Sequence, residues 1–193
     1  MRKRGPSASP YVKRIRKAFA ELAIPLELVR RRGLPRCAEA HRLVVAEVDA
    51  RGREQRLTPA AARAWKRMKS AAAEARVELY LVSAFRSFDR QCEILRAKLS
   101  AGQALEDILV VSAPPGYSEH HTGRAADIGA SPDDPLDDGF ERTDAYCWLV
   151  ANAARFGYSL SYPPENRYGY RYEPWHWLYR SPRAPLVRRR GVS

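Results

Sequence analysis

The sequence predicts an α+β fold, a small and mostly antiparallel central sheet flanked by helices. Three observations carry this expectation. Segments of helical period and strand-like segments both occur. They are mixed without the regular βαβ alternation of a doubly wound sheet. The length, 193 residues, suits one domain with a real core plus an extension.

Each element has its own justification. Residues 11–23, YVKRIRKAFAELA, place Val12, Ile15, Phe19 and Leu22 at helical spacing, which predicts an amphipathic helix packed on the main body. RRRGLPRC at 30–37 reads as a loop, broken by glycine and proline. Residues 43–48 read as a strand, followed by a DARGRE turn. Thr58-Pro59 opens a helix running to about Ala75, with threonine as N-cap and proline at the first helical position. VELYLVSAF, 77–85, is rich in β-branched and aromatic residues and predicts a buried strand. Ser87 caps a helix over 88–100, and a shorter helix covers 103–110. Ala126-Asp127-Ile128 reads as a short strand, 143–156 as a helix, and 157–163 and 168–177 as two further strands.

Charge divides the chain further. Residues 1–36 hold eleven Lys/Arg against two acids, and residues 180–193 hold five Arg and no acid. The net charge of +12 therefore belongs to the ends, and the middle is close to neutral. The expected organisation is a basic, partly helical extension over 1–57, a main domain over 58–182 and a basic tail over 183–193. Such ends favour anionic polymers in general. They lack the aromatic interleaving of a single-strand binding surface, so no specific nucleic-acid partner is expected. No run of about 18 apolar residues is present, which excludes a helical membrane span. The N-terminus lacks an apolar h-region, so the sequence as written predicts a cytoplasmic protein, or export to the wall by a non-standard route. Cys37, Cys92 and Cys147 are odd in number and contain no CxxC pair, which fits free thiols.

Four features stand apart from this scaffold. His120 and Asp127, in H-x6-D spacing, would lie about 23 Å apart in an extended chain. Thr122-Gly123-Arg124 between them permits a sharp turn. Glu173-Pro174-Trp175-His176 is the second feature. A polyproline segment would put Glu173 and His176 on one side and a pleated strand would oppose them. Together these give two histidines and an aspartate as ligands with a glutamate left over. That is the arrangement of a catalytic zinc with one open position, where Glu173 would take a proton from the activated water. The third is Arg86, where a strand gives way to a helix and a guanidinium could hold a carboxylate or an oxyanion. The fourth is Tyr117-Ser118-Glu119, immediately before His120, whose serine is placed to bond a substrate or to cap the turn.

These residues carry a family resemblance. Ser118-x-His120-x-x-Gly123-x-Ala125-x-Asp127 followed by Glu173-x-x-His176 resembles the VanY-like D-alanyl-D-alanine carboxypeptidases, of the zinc peptidase group that also includes lysostaphin-type enzymes. SAFRS at 83–87 is similar to the family's S-G-Y-R-S, and the resemblance runs from about residue 58 to 180. It implies a hedgehog/D-Ala-D-Ala peptidase-like fold and one Zn2+ held by His120, Asp127 and His176. Glu173 would be the catalytic base, with Arg86 orienting substrate or stabilising the transition state. Ser118 would contact the terminal carboxylate, and Gln91 would line the site. His121 stands at a variable motif position and is expected as a neighbour rather than a ligand. The implied substrate is a peptidoglycan peptide or muropeptide. Alternatives are a phage-type endolysin endopeptidase, a D-Ala-D-Ala dipeptidase, or a zinc-bearing binding module. The family's Thr-Gly-Tyr before the last strand is here Tyr168-Gly169-Tyr170.

Overall fold

The computed structural model describes residues 9–134 and 136–180. The basic tail expected at 183–193 and the first eight residues lie outside them. Four strands form the main sheet in the order β3-β4-β6-β5, all neighbours antiparallel: β3 (Tyr80–Ser83), β4 (Ala125–Gly129), β6 (His176–Tyr179) and β5 (Tyr158–Leu160). A separate hairpin pairs β1 (Val44–Val48) with β2 (Glu54–Leu57). The second hairpin strand was not expected, because EQRL carries no alternation of apolar residues to announce it.

Among the described residues six α-helices flank these sheets: α1 (Pro10–Glu21), α2 (Leu26–Arg31), α3 (Pro59–Glu74), α4 (Phe88–Ser100), α5 (Leu105–Val111) and α6 (Asp144–Asn152). Local chemistry starts several of them. Ser9 accepts from Val12 N with Pro10 at the helix start, Ser87 accepts from Arg90 N, and Thr143 accepts from Tyr146 N. A satisfied N-cap of this kind contributes about 1 kcal/mol. Thr58 precedes α3 as expected, but its hydroxyl makes no cap bond, leaving Pro59 as the stronger signal. Within the loop expected at 30–37, the first residues close α2 instead.

Two apolar cores result. The first lies between α3, α6 and the main sheet, where Trp65, Met68, Leu81, Ile128, Leu149 and Tyr158 are buried. The second joins α1 and α2 to α4 and α5 through Ile15, Phe19, Phe88, Leu95, Ile108 and Tyr162. Burying each of these side chains fully contributes about 1.5–3 kcal/mol. The helical spacing of 11–23 is therefore explained by α1 laying Ile15 and Phe19 into the second core.

The strand expected over 168–177 is corrected. Regular pairing covers only His176–Tyr179, and Pro174-Trp175 form a turn. Proline has no N–H to give a ladder. The preceding residues bond outside any ladder, Arg171 N–H to the Val110 carbonyl and Glu173 N–H to the Tyr162 carbonyl, with Tyr170 in the second core.

Candidate metal centre

Strand register decides which side chains meet. Asp127 on β4 stands directly opposite His176 on β6 and Ser83 on β3. Directly paired residues share a face of the sheet, so Asp127 and His176 converge. His120 arrives from a 3-10 turn over Glu119–Thr122, which Gly123 terminates at φ +60°. That left-handed conformation is strained for a residue with a Cβ, and a Cβ there would also come within 2.6 Å of Leu43 Cδ2. The chain doubles back at Gly123 into β4, and His120 Nε2 lies 3.2 Å from Asp127 Oδ2. His176 Nδ1 lies 2.9 Å from Asp127 Oδ1. Ligand atoms of His120, Asp127 and His176 all fall within 4.8 Å of one another, and all three residues are buried.

The hydrogen bonds around this trio test whether it fits a cation. His120 Nδ1 lies 2.5 Å from the Ala84 carbonyl, which can only accept, so Nδ1 carries the hydrogen. A neutral His120 then turns the Nε2 lone pair toward an Asp127 oxygen. Two acceptors face each other, and burial pushes the His120 pKa down, against the proton that would relieve them. His176 differs. Its Nδ1 faces Asp127 and its Nε2 faces Glu119 Oε2 at 3.0 Å. Burial lowers its pKa, but bonds to the two carboxylates outweigh this and raise it to about 10. Burial likewise raises the Asp127 carboxyl, yet His120 and His176 hold it well below the usual carboxylate range. The donor set is buried and converging around the Asp127 carboxylate, and each histidine is anchored through its other nitrogen. That pattern fits a divalent cation with N and O ligands. Glu119 completes it in a role the sequence did not announce: only the folded chain brings residue 119 against residue 176.

Glu173 reaches the same place by a tight turn. His176 N–H donates to the Glu173 carbonyl at 3.1 Å. The segment is therefore neither polyproline nor pleated, and it puts Glu173 Oε2 3.9 Å from His176 Nδ1. Burial raises the Glu173 carboxyl to about 7; His176 and Arg86 oppose this and Asp127 adds to it.

Arg86 lies in the loop after β3. Its guanidinium donates to Gln91 Oε1 at 3.1 Å and Ser83 Oγ at 3.3 Å, and lies 4.0 Å from Asp127 Oδ2. Gln91 is placed differently from expectation. It is fully buried, and its Nε2 donates to the Ala113 carbonyl at 2.7 Å. Both ends of its amide are committed, so it holds Arg86 from behind instead of lining the cleft. His121 is not among the converging donors. Its Nε2 accepts from Gly116 N–H at 3.1 Å, so Nδ1–H donates to the Arg86 carbonyl at 2.7 Å. It is a strut between two loops. Ser118 is buried and lines the cleft beside His120. The cleft holds about 300 Å³ and is also lined by Arg86, Tyr162 and Glu173. Tyr162 stacks on His176 with centroids 4.8 Å apart and rings inclined by 23°.

Comparison with known proteins finds relatives by sequence and by fold. The family described as VanY: D-alanyl-D-alanine carboxypeptidase matches residues 54–182. YodJ of Bacillus subtilis (strain 168) is 37% identical over 135 residues, covering 66% of this chain and 47% of that protein. The chain thus spans less than half the length of this curated relative. Among solved structures, the LdcB LD-carboxypeptidase superposes with a TM-score of 0.66 at 34% identity, over 73% of this chain and 69% of the other. The D,D-pentapeptidase VanY of a VanB-type resistance cassette, in complex with Zn(II), superposes with a TM-score of 0.55 at 26% identity, over 74% and 85% of the two chains.

Proposed function

This chain belongs to the VanY family of D-alanyl-D-alanine carboxypeptidases, and from that premise we propose that it is a zinc metallopeptidase that removes a C-terminal D-amino acid from peptidoglycan-derived peptides. One observation carries the reading. Three metal-type donors, a carboxyl raised to about 7 and a guanidinium converge in a single cleft. Zinc is supported by the donor set and by the Zn(II)-bound VanY relative.

His120 Nε2, an Asp127 oxygen and His176 Nδ1 would hold the ion, with Ala84, Glu119 and the β4–β6 register fixing their directions. Bound zinc supplies Lewis acidity, acidifying a water and polarising a carbonyl. Glu173 takes a proton from the attacking water and returns it to the leaving amine, and a carboxyl poised near neutrality serves both directions. Arg86, clamped by Gln91 and Ser83, aims N–H donors at the oxygen that gains charge on the scissile carbonyl. The Ser118 hydroxyl donates to the substrate's terminal carboxylate. One water is consumed, the C–N bond breaks, and the products are a shortened peptide and a free amino acid.

The test is to incubate the zinc-loaded protein with defined tri-, tetra- and pentapeptide muropeptides and identify products by mass spectrometry. Loss of a single terminal alanine is expected, and internal cuts or release of a dipeptide would replace the carboxypeptidase reading. Glu173→Ala should abolish hydrolysis with zinc still bound; full activity in that variant would sink the mechanism.

A further inference from the structure

The cleft contains one more cation. Lys98 lies on α4 seven residues beyond Gln91, two helical turns and about 10 Å along the axis. It lines the same cleft as Arg86, Ser118 and Glu173. Its ammonium donates to Ser112 Oγ at 2.9 Å, just past the end of α5. Among the described residues no carboxylate pairs with it. Its half-buried counterpart Lys69 does have one, Glu47 at 2.8 Å. Burial, and next the charge of Arg86, lower the Lys98 ammonium from its ordinary value, while Glu173 acts the other way. Both proposed reaction groups therefore lie within its electrostatic reach.

Resting on the peptidase reading, we propose that Lys98 is a specificity-determining residue that binds a carboxylate of the peptide substrate, farther along the cleft than Arg86. A partly desolvated cation is costly to hold unless an anion answers it. Ser112 occupies one of its three N–H donors and aims the group, leaving the others for a ligand. Peptides of the proposed class bring such an anion from two sources. One is the α-carboxylate of the leaving residue, and the other is a side-chain carboxylate on the residue before the scissile bond. The chemistry at Lys98 is the same for both.

Steady-state kinetics of the zinc-loaded protein on two matched peptide pairs provides the test. One pair compares the free C-terminal acid with its carboxamide, and the other the side-chain acid with its amide. Lys98→Met is expected to raise KM about tenfold or more for the acid member of one pair, as loss of a charged hydrogen bond does. The amide member and kcat should stay within about twofold. The affected pair identifies the carboxylate. Lys98→Arg should retain most of the discrimination, and Ser112→Ala should give a smaller loss of the same sign even if Lys98→Met folds poorly. An unchanged acid-to-amide ratio in Lys98→Met with normal zinc content and melting temperature, or an equal change in every member, overturns the inference. Failure of the unaltered protein to cleave any of these peptides removes the peptidase reading itself, and this inference with it.

Discussion

The two cores supply different parts of the cleft lining by different means. On one side, Asp127 and His176 sit on paired strands at the centre of the main sheet, and backbone hydrogen bonds fix their register. On the other side, Tyr162 and Tyr170 belong to the helical core, where ring packing and Arg32 from just past α2 add to scattered main-chain bonds such as Glu173 N–H to the Tyr162 carbonyl at 3.1 Å. Arg32 donates to the Tyr168 carbonyl at 2.5 Å and the Leu109 carbonyl at 2.7 Å, and lies 4.3 Å over the Tyr170 ring. The sheet side supplies groups that tolerate no displacement, and the helical side supplies a wall. Damage to the first should strike metal and turnover, and damage to the second should strike substrate affinity and stability.

Asp127→Asn is the most severe way to probe this contrast. Metal content measured after gel filtration should fall to background and activity with it, a larger loss than the ~10–100-fold typical of removing an outer partner. Retained stoichiometric metal would break the assignment of Asp127. Glu119→Ala removes the acceptor of His176 Nε2–H and should cost about 10–100-fold in zinc affinity. Glu119→Gln, whose amide oxygen still accepts, should recover most of it, whereas a purely packing role for Glu119 would give two equal losses.

A third prediction concerns protons. In the metal-free protein His176 is raised to about 10 and is charged at neutral pH. Ligation through Nδ1 must displace that proton, so zinc affinity should climb about tenfold per pH unit between pH 6 and 8. Calorimetry in buffers of different ionisation heat should count about one proton released. A pH-independent affinity would mean that His176 is already neutral or does not ligate.

The smallest effect belongs to the wall. Arg32→Ala leaves two carbonyls without their donor and should lower unfolding stability by about 1–3 kcal/mol. It should raise KM a few-fold, with zinc content untouched. Denaturant melts and steady-state kinetics check both halves. Loss of metal in this variant would erase the division between the two sides.

Much of the site was legible in the sequence because its signals are local. His120, Gly123 and Asp127 lie within eight residues, and Glu173 and His176 within four. Proline and glycine mark both turns. The helices over 59–74 and 88–100 followed from local start signals in the same way, Pro59 for the first and the Ser87 cap for the second. What stayed hidden is non-local. Glu119 acquires its partner from fifty-seven residues away, and His121 acquires the Arg86 carbonyl from thirty-five away. Gln91 was placed in the cleft by resemblance, but only the Ala113 carbonyl explains why its amide turns inward. Glu173-Pro174-Trp175-His176 left two backbone shapes open, and the His176 N–H to Glu173 carbonyl bond selected a third.

The segment ahead of the family match threads along the back of the site. Cys37 N–H donates to the Gly116 carbonyl and Ala40 N–H to the His121 carbonyl, both at 2.8 Å, and Glu39 Oε1 accepts from Phe88 N–H at 2.8 Å. Anyone trimming the gene to residues 54–182 for expression would cut away those partners and expose the seat of α1 and α2. Such a minimal fragment would keep every proposed zinc ligand and still present a loosened loop and a bare apolar flank. The folded unit begins upstream of its recognisable boundary.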